Sequence, residues 1–245
     1  EVWRTVLCYD AGETDVTRFI GEMSNGDFIL AGRTSSGATG DILLYRMRAD
    51  GSLAWTKTLN NDRSDDAVDL VTDPSTGDTY ICGSTTVLTP LTPSPQYRTN
   101  WYVMKISGAD GAAMWGTPYT YDGGFTENES ATCIALAMEG GVPKVIVGGS
   151  RHATPSVGGR LVKLNGATGA LEQQYDGPVS YFGVATDASG NVFACGRTNH
   201  ATLNEARVQK FNSALSLQWD KTNGGSGTTN SWSYIDVDPV SGDAI

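Results

Sequence analysis

A short apolar strand ending in glycine recurs four times along these 245 residues and begins a fifth time. The copies occupy residues 29–34, 80–85, 145–150 and 192–198, and they align on Gly32, Gly83, Gly149 and Gly196. Repetition at roughly fifty residues is typical of propellers, solenoids and arrays, because a unit that cannot bury its apolar face alone must stack on copies of itself. The repeat therefore constrains the architecture, whereas no catalytic signature accompanies it.

Each copy continues through a second apolar run with one basic residue, a tight turn and an aromatic position. The basic residues are Arg46, Lys105, Lys163 and Lys210, and the aromatic position holds Trp55, Trp115 and Trp219, with Gln173 in the third copy. An opening apolar run and another tight turn precede each glycine. Turns rich in Gly, Asn and Asp join antiparallel strands, so each copy is predicted to form four short strands. Because the tryptophan position recurs, we interpret it as a packing anchor between copies.

The predicted fold class is all-β: a β-propeller of four-stranded antiparallel blades, five to seven in the complete ring, with four full repeats and partial ones in this chain. Residues 1–245 are expected to form a single propeller. The predicted blades are 16–66, 67–130, 131–180 and 181–232, with the last strand of a blade at 1–15 and the start of another at 233–245. Because both ends fall inside a predicted blade, we expect a fragment of a longer chain.

The order of these elements resembles the extracellular β-propeller repeats called SBBP-type repeats. The resemblance rests on the Gly-Asp or Gly-Asn turn, the strand ending in Gly-x-Thr, the Lys- or Arg-bearing strand, the Asp-Gly turn and the tryptophan, and it covers essentially the whole chain. It implies a propeller that serves as a module of a large secreted or surface protein, and it transfers no catalytic residue. The third copy departs from the pattern at Gln173 and Gly148, so an irregular blade is expected there.

The net charge and the hydropathy of the chain limit the classes of partner that it is expected to bind. The formal net charge of −10 repels phosphate backbones, so no nucleic-acid partner is expected. No run of eighteen apolar residues occurs, so direct membrane insertion of this segment is not expected either. An acidic surface is compatible with cations, with basic partners and with simple solubility.

The four cysteines leave two interpretations open. Cys82 and Cys195 hold the same repeat position two blades apart, beyond the roughly 6 Å between Cα atoms that a disulfide needs. Cys8 falls in a final strand and Cys133 in an opening strand. Buried reduced thiols are the favoured interpretation, and one disulfide is the alternative.

In a propeller, the loops that leave the second strand and the loops that join blades open on one face. The sequence places there the insertions at 86–100 and 116–130, both histidines and the acidic residues of 62–66. This face is the first place to look for a binding site.

Weak metal candidates on that face are His152, His200, Asp62, Asp65 and Asp66. Two imidazoles could share a metal or form an acid-base pair, and the carboxylates could bind calcium. Neither set matches a known metal motif, and solvated loop side chains are the competing interpretation. We therefore expect no cofactor, with calcium as the one ion considered.

Carbohydrate could be attached at two places. Asn128 begins an Asn-Glu-Ser acceptor triplet for N-glycosylation in a polar loop. Thr89, Thr92 and Ser94 alternate with prolines and could carry O-linked sugar, although a stiff surface loop explains them equally well.

The leading hypothesis is a non-enzymatic extracellular or cell-surface module, a rigid scaffold for protein-protein assembly in a large secreted or filament protein. Its partners would be other domains of the same protein or copies of itself, with glycans as a further class of partner. The alternative is a carbohydrate- or calcium-binding propeller, or a hydrolase or lyase that uses the central channel, since one fold hosts many activities.

Overall fold

The computed structural model of this chain describes residues 14–36, 39–60, 64–89, 96–124, 128–153, 156–198, 205–223, 230–238 and 241–245. Within these residues every regular element is a β-strand, and the strands form four-stranded antiparallel sheets whose order follows the chain. The predicted fold class is therefore confirmed: the protein is all-β and built from sheets of the propeller-blade type.

Each sheet is formed by strands that are consecutive in the chain. Sheet 1 contains β1 (Thr14–Glu22), β2 (Phe28–Ser36), β3 (Thr39–Met47) and β4 (Leu53–Leu59). Sheet 2 contains β5 (Asp65–Thr72), β6 (Thr79–Thr89), β7 (Gln96–Ile106) and β8 (Tyr119–Tyr121). Sheet 3 contains β9 (Ala131–Glu139), β10 (Val142–Ala153), β11 (Ser156–Asn165) and β12 (Leu171–Gly177). Sheet 4 contains β13 (Val179–Thr186), β14 (Val192–Thr198), β15 (Ala206–Phe211) and β16 (Leu217–Asn223).

The chain divides into two compact units, Glu1–Thr120 and Tyr121–Ile245. Sheet 1 and most of sheet 2 belong to unit 1, and sheets 3 and 4 belong to unit 2. In unit 1, β5 of sheet 2 packs against β1, β2 and β3 of sheet 1. In unit 2, β13 of sheet 4 packs in the same way against β9, β10 and β11 of sheet 3. The first strand of the following sheet thus covers the preceding sheet in both units.

The repeat glycine lies at a β-bulge between the first and second strands. In sheet 1 the pairing shifts between Thr17 and Phe19, opposite Gly32. A β-carbon on Gly32 would overlap the carbonyl oxygen of Val16. The same overlap is found at the two further glycines Gly83 and Gly196. Only glycine allows the bulged strand to approach this closely, which explains the motif physically.

Sheet 3 has the same strand order as the other sheets. Its pairing shift falls between Gly148 and Gly149. A β-carbon on Gly148 would lie 2.8 Å from the Cys133 sulfur and 3.0 Å from the Tyr181 side chain. Gly148, the additional glycine of this copy, therefore makes room for the neighbouring sheet. The departure from the repeat pattern does not disturb the four-stranded arrangement.

The core of unit 2 lies between sheets 3 and 4. It joins buried residues of both sheets, among them Ile146, Leu161, Tyr181 and Phe211, each with at most 1% of its surface exposed. The half-buried Tyr175 adds an edge-to-face ring contact with Phe211 at 4.8 Å between centroids. Burial of this apolar surface supplies the main favourable free energy for stacking sheet on sheet.

Two features of sheet 2 differ from the sequence prediction. The insertion at 86–100 is not an extended loop in its described part, because β6 runs to Thr89 and β7 starts at Gln96. Trp115 precedes the short β8 rather than lying in the fourth strand, yet it is buried, with its ring centroid 5.9 Å from that of Tyr80. Packing on Tyr80 keeps Trp115 in the core without a regular strand around it.

Candidate functional site

One carbonyl group joins sheet 1 to sheet 2 in unit 1. Arg46 in β3 binds the carboxylate of Asp27 at 2.6 Å and donates a hydrogen bond to the carbonyl of Gly108 at 2.7 Å. The indole N–H of Trp55 donates to the same carbonyl at 3.2 Å. Burial alone would raise the pKa of Asp27, but hydrogen bonds from Arg46 and the Ala49 amide outweigh it, so the pKa is lowered. In sheet 1 the repeated cation and tryptophan are therefore a pair of donors that dock this sheet on sheet 2.

The equivalent contact in unit 2 uses a different pair of side chains. Lys163 in β11 binds the carboxylate of Glu139 at 2.5 Å and donates to the carbonyl of Ser213 at 2.8 Å. Gln173 pairs with Lys163 across β11 and β12. Its amide, assigned the orientation that satisfies both of its polar atoms, places the nitrogen 3.2 Å from the same carbonyl. Gln173 thus supplies the N–H that tryptophan supplies in sheet 1.

The β6–β7 hairpin extends beyond the other strands of sheet 2. Its pairing continues past Thr85 and Asn100 to Thr89 opposite Gln96. Leu88 and Tyr97 pair across this extension and are 45% and 60% exposed. Tyrosine is among the residues that are enriched in protein interfaces. We call the paired residues 86–89 and 96–99 the hairpin extension.

The acidic candidates separate into different environments. Asp65 is fully buried, whereas Asp66 forms an ion pair with Arg18 at 3.3 Å. Beside them, Arg33 donates to the hydroxyl of Ser64 at 2.8 Å. In the described part of the chain, no three His, Cys, Asp or Glu side chains are grouped so that they could hold a metal ion.

The remaining metal candidates fall wholly or partly outside the described residues. Asp62 and His200 are outside them. The backbone of His152 pairs with Val157 near the end of the β10–β11 hairpin, but its side chain is outside the described part. The prediction that these groups share one face therefore stays a prediction.

The candidate N-glycosylation site is at the surface. Asn128 is exposed and precedes β9, whereas Glu129 is 2% exposed and accepts a hydrogen bond from the Gly123 amide at 2.7 Å. The Ser130 amide donates to the hydroxyl of Ser150 at 3.2 Å. The acceptor asparagine is therefore exposed next to a residue that is buried and hydrogen-bonded.

Of the three O-glycosylation candidates, only Thr89 lies within the described residues. Thr89 ends β6, and nothing is described of its side chain. Thr92 and Ser94 lie outside the described residues.

One charged cluster was missed by the sequence analysis. The guanidinium of Arg160 binds both carboxylate oxygens of Asp176, at 2.6 and 2.8 Å, and lies 3.8 Å from the centroid of the Tyr121 ring. Burial raises the pKa of the Tyr121 hydroxyl. Arg160 and Asp176 face each other across β11 and β12. Only the strand register, which sequence reasoning did not assign at this position, could have revealed this pair.

No disulfide joins the three cysteines that the structure describes to one another. Cys82, Cys133 and Cys195 are all buried, and Cys8 lies outside the described residues. Burial raises the pKa of Cys195 to about 11. Because the thiolate is the reactive form, this cysteine is a poor nucleophile at neutral pH and acts as a packing residue.

Comparison with known proteins identifies a fold and no family. No protein-family model matches the chain, and no curated protein matches it. A solved variant of the apocarotenoid oxygenase of Synechocystis covers 87% of this chain at 12% identity and a TM-score of 0.50. An ACO/RPE65 chimera covers 87% at 11% identity and a TM-score of 0.50. Hydrazine synthase of Kuenenia stuttgartiensis covers 89% at 9% identity, with a TM-score of 0.47 and 69% of its own chain matched.

The chain spans about half the length of the first two of these structures, 51% and 50%. At this identity the likeness extends to the fold alone. Together with the four-stranded meander sheets, it assigns the chain to the β-propeller class of all-β proteins. Whether the chain is an enzyme is left open by these structures.

Within the described residues, no helix has the length and apolar character needed to span a bilayer.

Proposed function

We propose that this chain is a non-enzymatic interaction module, a rigid scaffold for protein-protein assembly within a large secreted, cell-surface or extracellular filament protein. The observation that carries the proposal is that the repeated polar side chains bind the neighbouring sheet. In unit 1, Arg46 and Trp55 donate hydrogen bonds to a backbone carbonyl of the neighbouring sheet. In unit 2, Lys163 and Gln173 do the same. Polar groups satisfied in this way fix one packing arrangement and rigidify the sheets.

The hairpin extension is the contact surface that we propose for a protein partner. Leu88 and Tyr97 stand together on a two-stranded element that is anchored by the rest of β6 and β7. Tyrosine offers a large contact area with few rotatable bonds, so it loses little conformational entropy on binding. A fixed backbone below the pair reduces that cost further.

An extracellular location is part of the proposal. It is supported by the resemblance to extracellular propeller repeats and by the exposure of Asn128 in its acceptor triplet. Digestion of the natural protein with an N-glycosidase, followed by mass measurement of the peptide with Asn128, tests it. A glycan at Asn128 is expected, because only a secreted chain meets the glycosylation machinery.

A matched pair of leucines tests the interaction surface. Leu88 and Leu171 are 45% and 44% exposed, but only Leu88 lies in the hairpin extension. Each is replaced in turn by a photo-reactive phenylalanine analogue in the cells that produce the protein. We expect a discrete protein adduct from position 88 and none from position 171. Equal labelling at both positions, or none at position 88, would contradict the proposed surface.

Two further measurements address the alternative functions. A glycan array and a calcium titration of the melting temperature are expected to show neither binding nor a shift. Saturable binding of one sugar, or a calcium-dependent rise in melting temperature, would replace the scaffold with a carbohydrate- or calcium-binding propeller.

A further inference from the structure

Asparagine is followed directly by glycine at three places, residues 25–26, 165–166 and 223–224. At such a pair the peptide nitrogen of the glycine can attack the side-chain carbonyl carbon of the asparagine, because no β-carbon on the glycine stands in the way. The new C–N bond closes a succinimide ring and ammonia leaves. Water then opens the ring at either carbonyl and gives aspartate or isoaspartate, and the whole reaction is called deamidation. Gly224 lies outside the described residues, so the first two pairs are the ones to compare.

The first pair lies in the turn between β1 and β2, which is closed by hydrogen bonds. The Gly26 nitrogen, which is the attacking atom, donates to the Met23 carbonyl at 2.9 Å. The Asn25 side chain accepts from the Asp27 amide at 3.1 Å and donates to the Asp27 carboxylate at 3.1 Å. Asn25 itself is exposed. Water therefore reaches the asparagine, but the turn must open before the Gly26 nitrogen can attack the side-chain carbon.

The second pair lies at the turn between β11 and β12 and is held more firmly. The side-chain carbonyl of Asn165 accepts two backbone N–H groups, from residues 167–168, at 3.0 and 3.2 Å. Its amide nitrogen donates to Glu172 at 3.0 Å. The Gly166 nitrogen donates to the carbonyl of Pro143 in β10 at 2.8 Å, so the attacking atom is tied to another strand rather than to its own turn. Opening of the first turn is therefore expected to be the easier of the two.

The Asn25 amide belongs to the contact between sheets 1 and 2. One carboxylate oxygen of Asp27 accepts from the Asn25 amide at 3.1 Å and from Arg46 at 3.1 and 2.6 Å. Arg46 in turn donates to the Gly108 carbonyl of sheet 2 at 2.7 Å. Burial raises the pKa of Asp27, but hydrogen bonds, among them the one from Asn25, outweigh burial and lower the pKa. Asn25 therefore helps to hold the carboxylate that orients Arg46.

Either product of deamidation disturbs this arrangement. Aspartate at position 25 replaces an N–H donor with a second carboxylate beside Asp27, and like charges at this distance repel each other. Isoaspartate adds a methylene group to the main chain between residues 25 and 26. In the closed turn Met23 accepts from the Gly26 amide at 2.9 Å and donates to the Asp27 carbonyl at 2.8 Å. A longer main chain moves these groups out of register.

We infer that Asn25 is a site of spontaneous deamidation and that this modification loosens the contact of sheet 1 with sheet 2. The Gly26 nitrogen forms the new bond to the side-chain carbon, the amide leaves as ammonia with the proton of that nitrogen, and water supplies the hydroxyl group of the product. Docking of Arg46 slows the reaction, because it keeps Asp27 and with it the turn in place. The inference goes beyond the proposed scaffold function, since it concerns how long one sheet contact lasts and not what the protein binds.

The rate of the reaction is the first test. Peptide mass spectrometry of the whole chain, kept at mildly alkaline pH, measures the conversion of amide to acid at each site, and conversion is expected to be faster at Asn25 than at Asn165. Arg46→Met should accelerate it at Asn25 about 5-fold, because a turn without its cation opens more often, and should leave the rate at Asn165 unchanged. Lys163→Met removes the equivalent cation of unit 2 and is the matched control, which should leave the rate at Asn25 unchanged.

The effect of the product is the second test. Asn25→Asp, which makes the direct product, is expected to lower the melting temperature measured by circular dichroism by about 3 °C. In an Asp27→Asn background the same change should lower it by less than about 1 °C, because no second carboxylate remains to be repelled.

The outcomes that overturn the inference are distinct from those that overturn the scaffold proposal. A rate at Asn25 that Arg46→Met leaves unchanged would refute it, and so would equal acceleration at Asn25 and Asn165, which indicates global unfolding. Equal melting shifts for Asn25→Asp in both backgrounds would show that repulsion from Asp27 is not the cause. Neither experiment bears on adducts at Leu88, so the scaffold proposal is tested separately.

Discussion

The contact of sheet 1 with sheet 2 and the contact of sheet 3 with sheet 4 share a geometry but not a composition. In unit 1 a guanidinium and an indole meet the Gly108 carbonyl. In unit 2 an ammonium and an amide meet the Ser213 carbonyl. The comparison shows that sheets 1 and 3 both place two hydrogen-bond donors on one backbone carbonyl of the following sheet. The tryptophan is one way to supply the second donor, and Gln173 is another.

The two contacts also differ in how the cation is balanced. The side chain of Asp27 is 10% exposed beside Arg46, whereas the side chain of Glu139 is 30% exposed beside Lys163. A carboxylate that loses its cation is more costly when water cannot reach it. The contact in unit 1 is therefore the more sensitive of the two to removal of the charge.

The largest expected effect concerns the bulge glycine, which both units contain. Gly83→Ala and Gly196→Ala place a β-carbon on the carbonyl oxygens of Asp66 and Ser180. Each should cost about 4 kcal/mol or more of the free energy of unfolding, because the bulge must open. Gly116→Ala is the control, since its β-carbon meets no atom within 4 Å, and it should change stability by about 1 kcal/mol or less. Urea unfolding followed by circular dichroism measures all three, and similar values at Gly83 and Gly116 would refute the bulge explanation.

The next effect separates the two contacts. Arg46→Met should lower the free energy of unfolding by about 3 kcal/mol, because Asp27 stays buried without its cation. Lys163→Met should cost about 1.5 kcal/mol, because Glu139 can be solvated. Chemical denaturation of both variants gives the comparison. A larger loss for Lys163→Met than for Arg46→Met would show that exposure of the carboxylate does not decide the cost.

A smaller effect tests the equivalence of tryptophan and glutamine. Trp55→Phe keeps an aromatic ring but loses the N–H, and Gln173→Leu keeps much of the volume but loses the amide. Each should cost about 1 kcal/mol, the net contribution of one neutral hydrogen bond. Gln174→Leu, a change of the exposed neighbour, is the matched control and should lie within about 0.5 kcal/mol of the natural chain. If Gln173→Leu equals this control, Gln173 does not replace the tryptophan.

The smallest effect is a dependence on pH. The pKa of Asp27 is lower in the folded chain than in the unfolded chain, so the charged carboxylate stabilises the fold above the unfolded pKa of about 3.9. This stabilisation is lost as the pH falls through the folded pKa. The pH-dependent part of the difference in unfolding free energy between the natural chain and Asp27→Asn is expected to stay below about 1 kcal/mol. It should be fully present above about pH 5 and shrink below about pH 4. Denaturation at a series of pH values measures it, and a difference that grows in acid would reverse the assignment.

Asn191 offers the matching case in unit 2. It follows the Ser-Gly turn of sheet 4 as Asp27 follows the Asn-Gly turn of sheet 1. Its side chain donates to the Asp187 carboxylate at 2.7 Å and carries no charge of its own. Burial alone would raise the pKa of Asp187, but hydrogen bonds from Asn191 outweigh it and lower the pKa. The stability lost in Asn191→Ala should therefore be largest above about pH 5 and shrink as the pH falls below about 4.

The sheets were easier to predict than the surfaces. The bulge glycines, the turn residues and the cation positions recur in the sequence, and they predicted the four-stranded antiparallel sheets that the structure shows. Trp115 was correctly predicted to be a packing residue, but its position outside the fourth strand was missed, and so was the hairpin extension. An irregular segment before β8 and a strand that continues past its sheet leave no period in the sequence. The pair of Arg160 and Asp176 was missed because strand register is set by packing.

The sequence by itself determined the β-strands, their order in each sheet and the glycine that each bulge requires, since these depend on local spacing and backbone sterics. Only the tertiary structure decided what the repeated donors bind. Their acceptors are the backbone carbonyls of Gly108 and Ser213, and every residue carries such a group. No side chain marks a carbonyl as a docking point, so its role emerges only when one sheet packs on the next.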